Sequence, residues 1–600
     1  MAKRHLPIIS TLLNYYKVYE PYIGKRIYIV LALAVVAAQL EGFGLAFFLP
    51  LMSADSMSPD SGGLAGLLAK VYSFFGLPLT HMTSAIFIVI IFTFKGIVKY
   101  IEGHYNAHLT THVVYSGMRK DLIARFFDMS YLYYTAQNTG TLTNVITHEV
   151  DRSIKSFRFF SMTMVQIATV LSLLVYSFLI NWQITGLALI YGVLILYLFK
   201  PLSTRSKIFS IRYSREHGVF NALLIQAFQA FKYLRSTRSL GKFTTKTSRN
   251  VDDLSEFTFE IHKAGATIKA IAEPLVIYFI VLLIGVYVGV LGHPIGEITV
   301  NILLLFRLMM NVMGFQTTWQ QFSGLLGGVD SVNRTMAAVA REPEKHGDQQ
   351  IGELKQGIRL EKVCFSYDDK EVLSEISLFI PKNRTIALVG ESGSGKSTII
   401  DLLTGVLRPT KGVIDVDGID SNAIDYNSFR EKIGYVAQEN VVFDDSVANN
   451  ISLWGCAEES QECRHRVEEA ARQAFADEYI RALDESYDTP IGDRGVKLSG
   501  GQRQRLAIAR ELFRHPELLL LDEATSALDT ESEKKIQKSI DDLKGKTTVV
   551  IIAHRLSTIR NSDYIYVLDR GRIAEHGTFQ ELVNVDDSKF RKMVELQNIA

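Results

Sequence analysis

The chain lacks a surplus of charge: 64 Lys and Arg stand against 63 Asp and Glu in 600 residues, a net charge of +1. Nucleic-acid binding draws on a basic excess that neutralises phosphates and releases counterions, so no nucleic-acid partner is expected. Cysteine is scarce as well. Cys364, Cys456 and Cys463 are the three present. They all fall in the second half and read as reduced thiols, not a disulfide framework. No cleavable signal peptide is expected either, because the first apolar run has the length of a membrane span and lacks a small-residue cleavage site. Apolar residues, by contrast, are abundant at 48%, and a chain of this length exceeds what one hydrophobic core holds, so at least two domains are expected.

The apolar residues are concentrated in the first half. Runs of spanning length lie at 27–52, 84–104, 159–180, 183–200, 271–291 and 295–315, which predicts six transmembrane helices. Basic residues then set the orientation. The loop 105–158 carries Arg119, Lys120, Arg125, Arg152, Lys155 and Arg158, and the loop 201–270 carries Arg205, Lys207, Arg212, Arg215, Lys232, Arg235 and Arg238 among others. The opposite loops are almost bare, with Lys70 alone in 53–83. Positive residues remain on the cytoplasmic side, so both termini are expected there. The two basic loops are long and show apolar residues at three-to-four spacing over 118–127 and 219–234, which predicts helices extending from the spans. Residues 8–19 suit an interfacial helix ahead of the first span.

Ionisable residues inside spans are costly unless they face a cavity or a partner. Here they are Glu41, Lys95, Lys99, Glu102, Glu273 and Arg307. Lys95, Lys99, Glu102 and Asn106 share one helical face. An unpaired lysine pair there would receive a phosphate of a lipid headgroup; internal pairing, Lys99 with Glu102 or Arg307 with Glu273, is the alternative. Glu41, Lys95, Lys99 and Arg307 are therefore the candidate substrate-cavity residues. His104, His108 and His112 also fall at helical spacing, where a solvated face is expected ahead of a metal site. In the outer loop 53–83, Leu64, Leu67, Leu68, Val71, Phe74 and Phe75 form an apolar stripe, either a helix on the outer leaflet or a packing helix.

The second half carries the chemistry. Gly390, Glu391, Ser392, Gly393, Ser394, Gly395, Lys396, Ser397 and Thr398 spell a phosphate-binding loop. Its glycines let successive N–H groups turn toward phosphate oxygens, Lys396 adds a charge, and Ser397 offers a hydroxyl to Mg²⁺. An apolar run at 386–389 precedes it and a helix-like stretch at 398–407 follows, so the phosphates meet a helix N-terminus. Further apolar runs end in candidate site residues. The run 518–521 ends in Asp522, expected to hold Mg²⁺ through water, and Glu523, expected to polarise the attacking water. The strand 433–437 delivers Gln438 to the γ-phosphate and the metal, and the strand 548–553 delivers His554 to the γ-phosphate. Tyr367, ending the strand 363–367, offers a face to adenine. Leu498, Ser499, Gly500, Gly501 and Gln502 form a second motif, and Asp529 lies just beyond Glu523.

In this order and spacing, residues from about 358 to 595 resemble the nucleotide-binding domain of ATP-binding-cassette (ABC) transporters. Tyr367, the phosphate loop, Gln438, the Leu498–Gln502 signature, Asp522, Glu523, Asp529 and His554 each match one of its motifs. Asp493 stands where exporters of this kind usually carry a glutamate. The resemblance implies an α-helical membrane domain of six transmembrane helices with long cytoplasmic extensions (1–337), a polar linker (338–357) and an α/β P-loop ATPase domain (358–600). It implies ATP and Mg²⁺ as cofactors and a homodimer whose ATPase domains meet head to tail, each signature closing the other copy's phosphate loop. Residues 131–144 resemble the first segment that touches the ATPase in such exporters, and the second is expected near 212–226.

Leu40, Glu41, Gly42 and Phe43 through Leu49 and Pro50, the helical outer loop, and Leu305 through Met309 around Arg307 are similar to bacterial lipid-linked oligosaccharide flippases. That likeness implies export of a lipid-linked oligosaccharide or related glycolipid across a bacterial inner membrane. A multidrug or peptide exporter is the alternative, with a leader-peptide exporter disfavoured because no amino-terminal peptidase domain is seen. An ATP-gated channel or regulator would bring degenerate motifs or a long regulatory insert, and neither is present. Six spans exclude a soluble cassette ATPase acting on DNA or ribosomes.

Overall fold

The structure, a computed structural model, describes residues 8–53, 63–290, 295–456, 460–492, 495–522, 530–553 and 559–599. The chain forms two units, one helical and ending at Pro343, the other beginning at Glu344 and including Ser130–Leu132. The boundary falls inside the predicted linker.

Ahead of Glu344 the chain forms α1 (Ile8–Ile23), α2 (Ile27–Ala46), α3 (Phe48–Ser53), α4 (Gly63–Phe74), α5 (His81–His108), α6 (Ser116–Phe127), α7 (Tyr131–Ala136), α8 (Thr139–Asn144), α9 (Val150–Ile180), α10 (Trp182–Gln229), α11 (Phe231–Ser236), α12 (Leu240–Ile284), α13 (Ile295–Ser323) and α14 (Leu326–Val339). Among the described residues, five helical segments are long and apolar enough to cross a membrane: Thr11–Leu51, His81–Phe127, Thr139–Leu179, Trp182–Gln229 and Leu240–Gly289. The helix α13 occupies the place of the sixth run. The predicted spans 84–104, 159–180, 183–200 and 295–315 each lie within a longer helix, while 27–52 covers α2 and α3. The helix α2 packs on α5 and α9, α9 on α13, and α10 on α12. Asn181 alone separates α9 from α10, and its side chain caps α10 by accepting from the N–H groups of Gln183 and Ile184, both at 3.1 Å.

The outer-loop helix α4 is a packing helix over its described side chains. Leu68 and Tyr72 are buried with Ala46 and Phe47, and the Tyr72 hydroxyl lies 2.6 Å from Ser84 Oγ. Phe74 and Phe75, at its end, stay exposed. Leu64 and Leu67 have side chains outside the described set. The expected crossing segment at 212–226 is corrected: those residues lie within α10, and the short helix comes afterwards as α11. The reason is a buried stripe of Ser203, Ser206, Ser210, Ser214 and Gly218, which keeps α10 packed through this region.

That stripe accommodates a buried charge. Arg152 donates to Ser210 Oγ at 2.8 Å, to the Gly324 carbonyl at 3.3 Å, to Ser214 Oγ, and to Glu149 Oε2 at 3.3 Å. Ser214 in turn donates to Glu149 Oε2 at 2.9 Å. The ion pair is almost wholly out of water, where leaving a polar group unpaired costs about 1–3 kcal/mol. Ser214→Ala removes one partner from each charge, so the helical unit is expected to lose about that much stability. Thermal unfolding in detergent checks it, and an unshifted midpoint rejects this account of the network.

The second unit holds two sheets built from β1 (Gly357–Tyr367), β2 (Lys370–Pro381), β3 (Thr385–Gly390), β4 (Lys411–Val416), β5 (Ile419–Asp420), β6 (Ile433–Val436), β7 (Leu518–Asp522), β8 (Thr548–Ile552), β9 (Tyr564–Asp569) and β10 (Arg572–Gly577). The first is antiparallel, in the order β2-β1-β4-β5; the second runs β10-β9-β3-β8-β7-β6, parallel from β9 to β6. Strands β3, β7 and β8 are buried at every position, as a parallel sheet covered on both faces requires. Alternate residues feed opposite cores: Ala387, Val389, Leu519 and Leu521 join one, and Ile386, Leu388, Leu518 and Leu520 the other, following the two-residue period of a strand.

The expectation of three reduced thiols is corrected. Cys456 and Cys463 form a disulfide with Cα atoms 5.7 Å apart, and Cys364 is free. The helix Gln461–Gln473 starts two residues before Cys463, capped by Ser460, and this start brings Cys463 back beside Cys456.

Candidate nucleotide site and membrane-domain charge cluster

Three central strands converge on the phosphate loop. In the parallel register Leu388 lies beside Ile552 and Ile552 beside Asp522, while Val436 lies beside Leu521. The carboxyl ends of β3, β8, β7 and β6 therefore lie at one edge, where open α/β sheets bind ligands. From that edge emerge the loop after Gly390, Asp522, and Gln438 two residues past β6.

The loop turns through Gly393 (φ 80°) and Gly395 (φ 102°), conformations that favour glycine. A Cβ on Gly395 would also collide with Leu373 Cδ2. Gly395 caps a helix, α15 (Lys396–Leu403), from the left-handed region, so the helix N-terminus and its free N–H groups face the loop. Lys396 is buried and its Nζ donates to the carbonyls of Gly390 at 2.9 Å and Glu391 at 2.8 Å. Ser394 Oγ is buried without a hydrogen-bond partner, a hydroxyl suited to a phosphate oxygen. Ser397 is exposed, whereas Thr398 is buried.

Sequence reasoning missed two residues here. Asp401 has its carboxyl pushed up to about 6, first by burial and then by the charge of Asp522. Tyr435 is pushed up to about 12 by burial and by the charges of Asp522 and Asp401. The signal available for Asp401 was its position four residues after Ser397, on the same helix face. Asp401 and Asp522 are close enough for the charge of one to act on the other, and carboxylate oxygens suit Mg²⁺.

Tyr367 is 39% exposed and meets Phe365 edge to face, ring centres 4.8 Å apart. Burial raises its phenol, Asp401 acts in the same direction, and a hydrogen bond with Thr398 opposes both. Tyr367 thus stands beside α15 with a ring face available. Glu523, Asp529 and His554, along with Asp493, lie outside the described residues.

The signature caps its own helix, Gly500–Phe513. Ser499 Oγ accepts from the Gln502 N–H at 3.2 Å, and Gln502 Oε1 accepts from the Ser499 N–H at 2.8 Å. Leu498 is buried, and its carbonyl accepts from Arg503 at 2.7 Å. A Cβ built on Gly500 meets no heavy atom within 4 Å, so the motif's backbone is open on that side.

In the helical unit the unpaired lysine pair is corrected. Lys95 Nζ lies 3.0 Å from Glu41 Oε2, and Lys99 Nζ lies 2.7 Å from Glu102 Oε2. Arg307 pairs with the other Glu41 oxygen, not with Glu273, which is exposed. Glu41 on α2 is buried and draws one cation from α5 and one from α13. The triad carries a net single positive charge. Lys95 is 13% exposed and Arg307 49%, so the surplus is presented by Arg307. Its neighbour in sequence, Phe306, lines an apolar recess of about 360 Å³ with Phe48, Ile280 and Leu303. His104, His108 and His112 are exposed, as expected of a solvated face.

Comparison with known proteins gives matches over both units. The family described as "ABC transporter transmembrane region" matches residues 27–317, and the one described as "ABC transporter" matches residues 373–526. The chain is 31% identical over 558 residues to the heterocyst differentiation ATP-binding protein HepA of Nostoc sp. strain PCC 7120, covering 91% of this chain and 90% of that one. It is 33% identical over 500 residues to the ATP-dependent lipid A-core flippase of Salmonella typhimurium, covering 82% and 84%. Among solved structures, a bacterial Atm1-family ABC exporter with ATP bound shares the fold, with a TM-score of 0.76 at 24% identity over 96% of this chain and 98% of that one.

Proposed function

This chain belongs to the ABC transporter family, and we propose that it flips an amphipathic lipid, best a lipid-linked oligosaccharide or related glycolipid, from the cytoplasmic to the outer side of a bacterial inner membrane. It is a multi-pass membrane protein, an exporter whose ATPase domain couples ATP hydrolysis to transport. The observation that carries the substrate reading is the Glu41–Lys95–Arg307 triad, with one positive charge left over and Arg307 half exposed, on the helix whose Phe306 lines an apolar recess. A guanidinium suits a phosphate-bearing headgroup, and the recess suits an acyl chain. The lipid A-core flippases among the relatives support the lipid part of this reading.

ATP is held by the phosphate loop and Lys396, with its adenine against Tyr367. Ser397, Gln438 and Asp522 would hold Mg²⁺, which when bound would supply positive charge to the phosphates. Glu523 orients the attacking water, and His554 contacts the γ-phosphate. Two copies form a homodimer with head-to-tail ATPase domains.

A charge-assisted hydrogen bond to the headgroup contributes about 1.5–3 kcal/mol. Arg307→Ala is therefore expected to lower flipping of a fluorescent glycolipid in proteoliposomes by roughly 10–100-fold, with basal ATP turnover retained. Unchanged flipping removes the headgroup role. The pairing of both lysines favours a second reading, a multidrug or peptide exporter. Stimulation of ATP turnover in nanodiscs separates the two: undecaprenyl-pyrophosphate glycans or lipopolysaccharide stimulate under the first, amphipathic drugs or peptides under the second.

A further inference from the structure

Three ligand-type side chains meet in the helical unit, none of them a member of the nucleotide site or of the Glu41 triad. His148 and Glu149 end a π-helical turn, Val145–Glu149, between α8 and α9, and His217 comes from α10. One ligand atom from each lies within 4.8 Å of the other two. The two imidazoles stack with centroids 3.9 Å apart and planes 10° from parallel. Single π-turns inside helices recur at functional sites.

The hydrogen bonds around His217 fix which nitrogen is free. His217 Nδ1 lies 2.7 Å from Asn144 Oδ1, which also accepts from Asn221 Nδ2 at 2.7 Å. Asn144 Nδ2 points the other way, toward Glu149 Oε1 at 3.4 Å. Reversing the amide would set two oxygens against each other at Glu149. An amide oxygen only accepts, so His217 Nδ1 carries the proton and Nε2 presents its lone pair. An imidazole held by its far nitrogen in this way is how proteins orient a metal ligand.

His148 Nε2 is buried and has no hydrogen-bond partner. On Glu149, Oε2 is engaged by Arg152 and Ser214, while among the described residues Oε1 has only the long contact with Asn144. His148 Nε2, His217 Nε2 and Glu149 Oε1 are thus the atoms of the cluster with unused capacity. Around a tetrahedral ion with bonds of about 2.0–2.1 Å, ligand atoms sit ~3.3 Å apart, so closing the site draws the ligand atoms together and turns the two rings out of their parallel stack.

We propose that His148, His217 and Glu149 form a binding site for a borderline divalent metal ion, Zn²⁺ first, with Asn144 as the residue that positions His217. Two nitrogen ligands select against Mg²⁺ and Ca²⁺, which take oxygen. Arg152 neutralises part of the Glu149 charge and so weakens the site without occupying its open oxygen. A bound ion fastens the π-turn before α9 to α10. The inference is independent of the transported substrate.

The test uses the full chain without a histidine tag, in nanodiscs, titrated with Zn²⁺ and with Co²⁺ as a spectroscopic probe. One ion per chain and Co²⁺ ligand-field bands displaced by Zn²⁺ are expected. His217→Ala and His148→Gln should each weaken Zn²⁺ by more than about 100-fold, and Asn144→Ala by about 10–100-fold. Unfolding midpoints without metal identify any variant that fails to fold. His148→Gln guards against that outcome, because its ring is only partly buried. A variant with His104, His108 and His112 all changed to Ala should bind as the wild type does. Substoichiometric binding by the wild type overturns the proposal, as does binding unaffected by His148→Gln and His217→Ala, or binding lost in the triple variant.

Discussion

Glu523→Gln is expected to lower ATP turnover by about 10²–10⁴-fold, the range for a positioned general base, while ATP binding stays intact. The argument starts from β7. Its five residues, Leu518–Asp522, are buried, so the strand's end is held firmly where β3 and β8 also end. Asp522 is fixed there, and Glu523 is the next residue. Phosphoryl transfer needs charge stabilisation and an oriented nucleophile more than covalent chemistry. The amide keeps the size of the side chain and removes the carboxylate that polarises water. Lys396, Ser394 and the N-terminus of α15, proposed to take the phosphates, are untouched. Phosphate release and nucleotide binding, measured on the same preparation, check both halves of the expectation. Turnover near the wild-type rate rejects Glu523 as the catalytic carboxylate, and loss of ATP binding shows a structural role instead.

The ATPase unit was legible in the sequence because its strands are buried on both faces. The apolar runs at 386–389, 433–437, 518–521 and 548–553 fall within one residue of β3, β6, β7 and β8. Asp401 and Tyr435 were not legible, because neither belongs to a motif and each is shifted first by burial and then by the charge of Asp522, which is far along the chain. The membrane domain follows the same division. Apolar length located the spans, but the partners of Lys95 and Arg307 depend on how three helices pack, and Glu41 lies 266 positions from Arg307. Lys99 and Glu102, three apart on one helix, could be paired by spacing alone. The end of α10 was misplaced because a helix period looks the same on either side of a boundary. Only at Ala230 does the backbone depart from helical geometry before α11. The disulfide was missed because compartment and count were used, while the deciding fact is a helix start at Gln461 beside Cys456.

Mixed dimers provide the other large effect. If two copies meet head to tail, each ATP site combines the phosphate loop of one with the signature of the other. Lys396→Ala removes the buried ammonium that donates to the loop carbonyls of Gly390 and Glu391, the charge proposed to meet the phosphates. Ser499→Ala removes the hydroxyl that caps the signature helix and so loosens the motif that the head-to-tail model sets against the other copy's phosphate loop. Each homodimer then has two defective sites, and turnover should fall close to background. In a dimer of one Lys396→Ala chain and one Ser499→Ala chain, both defects fall in the same composite site and the other site is wild type. Independent sites then give about half the wild-type turnover for the mixed species, whereas strict coupling between sites gives none, so ATP binding at the intact site is measured alongside. A site built within one chain predicts something different: each chain carries its own defect, and mixing restores neither turnover nor binding. Co-purified dimers with two distinct affinity tags isolate the mixed species, and occupancy of one full-affinity ATP site per dimer is the result that carries the head-to-tail arrangement.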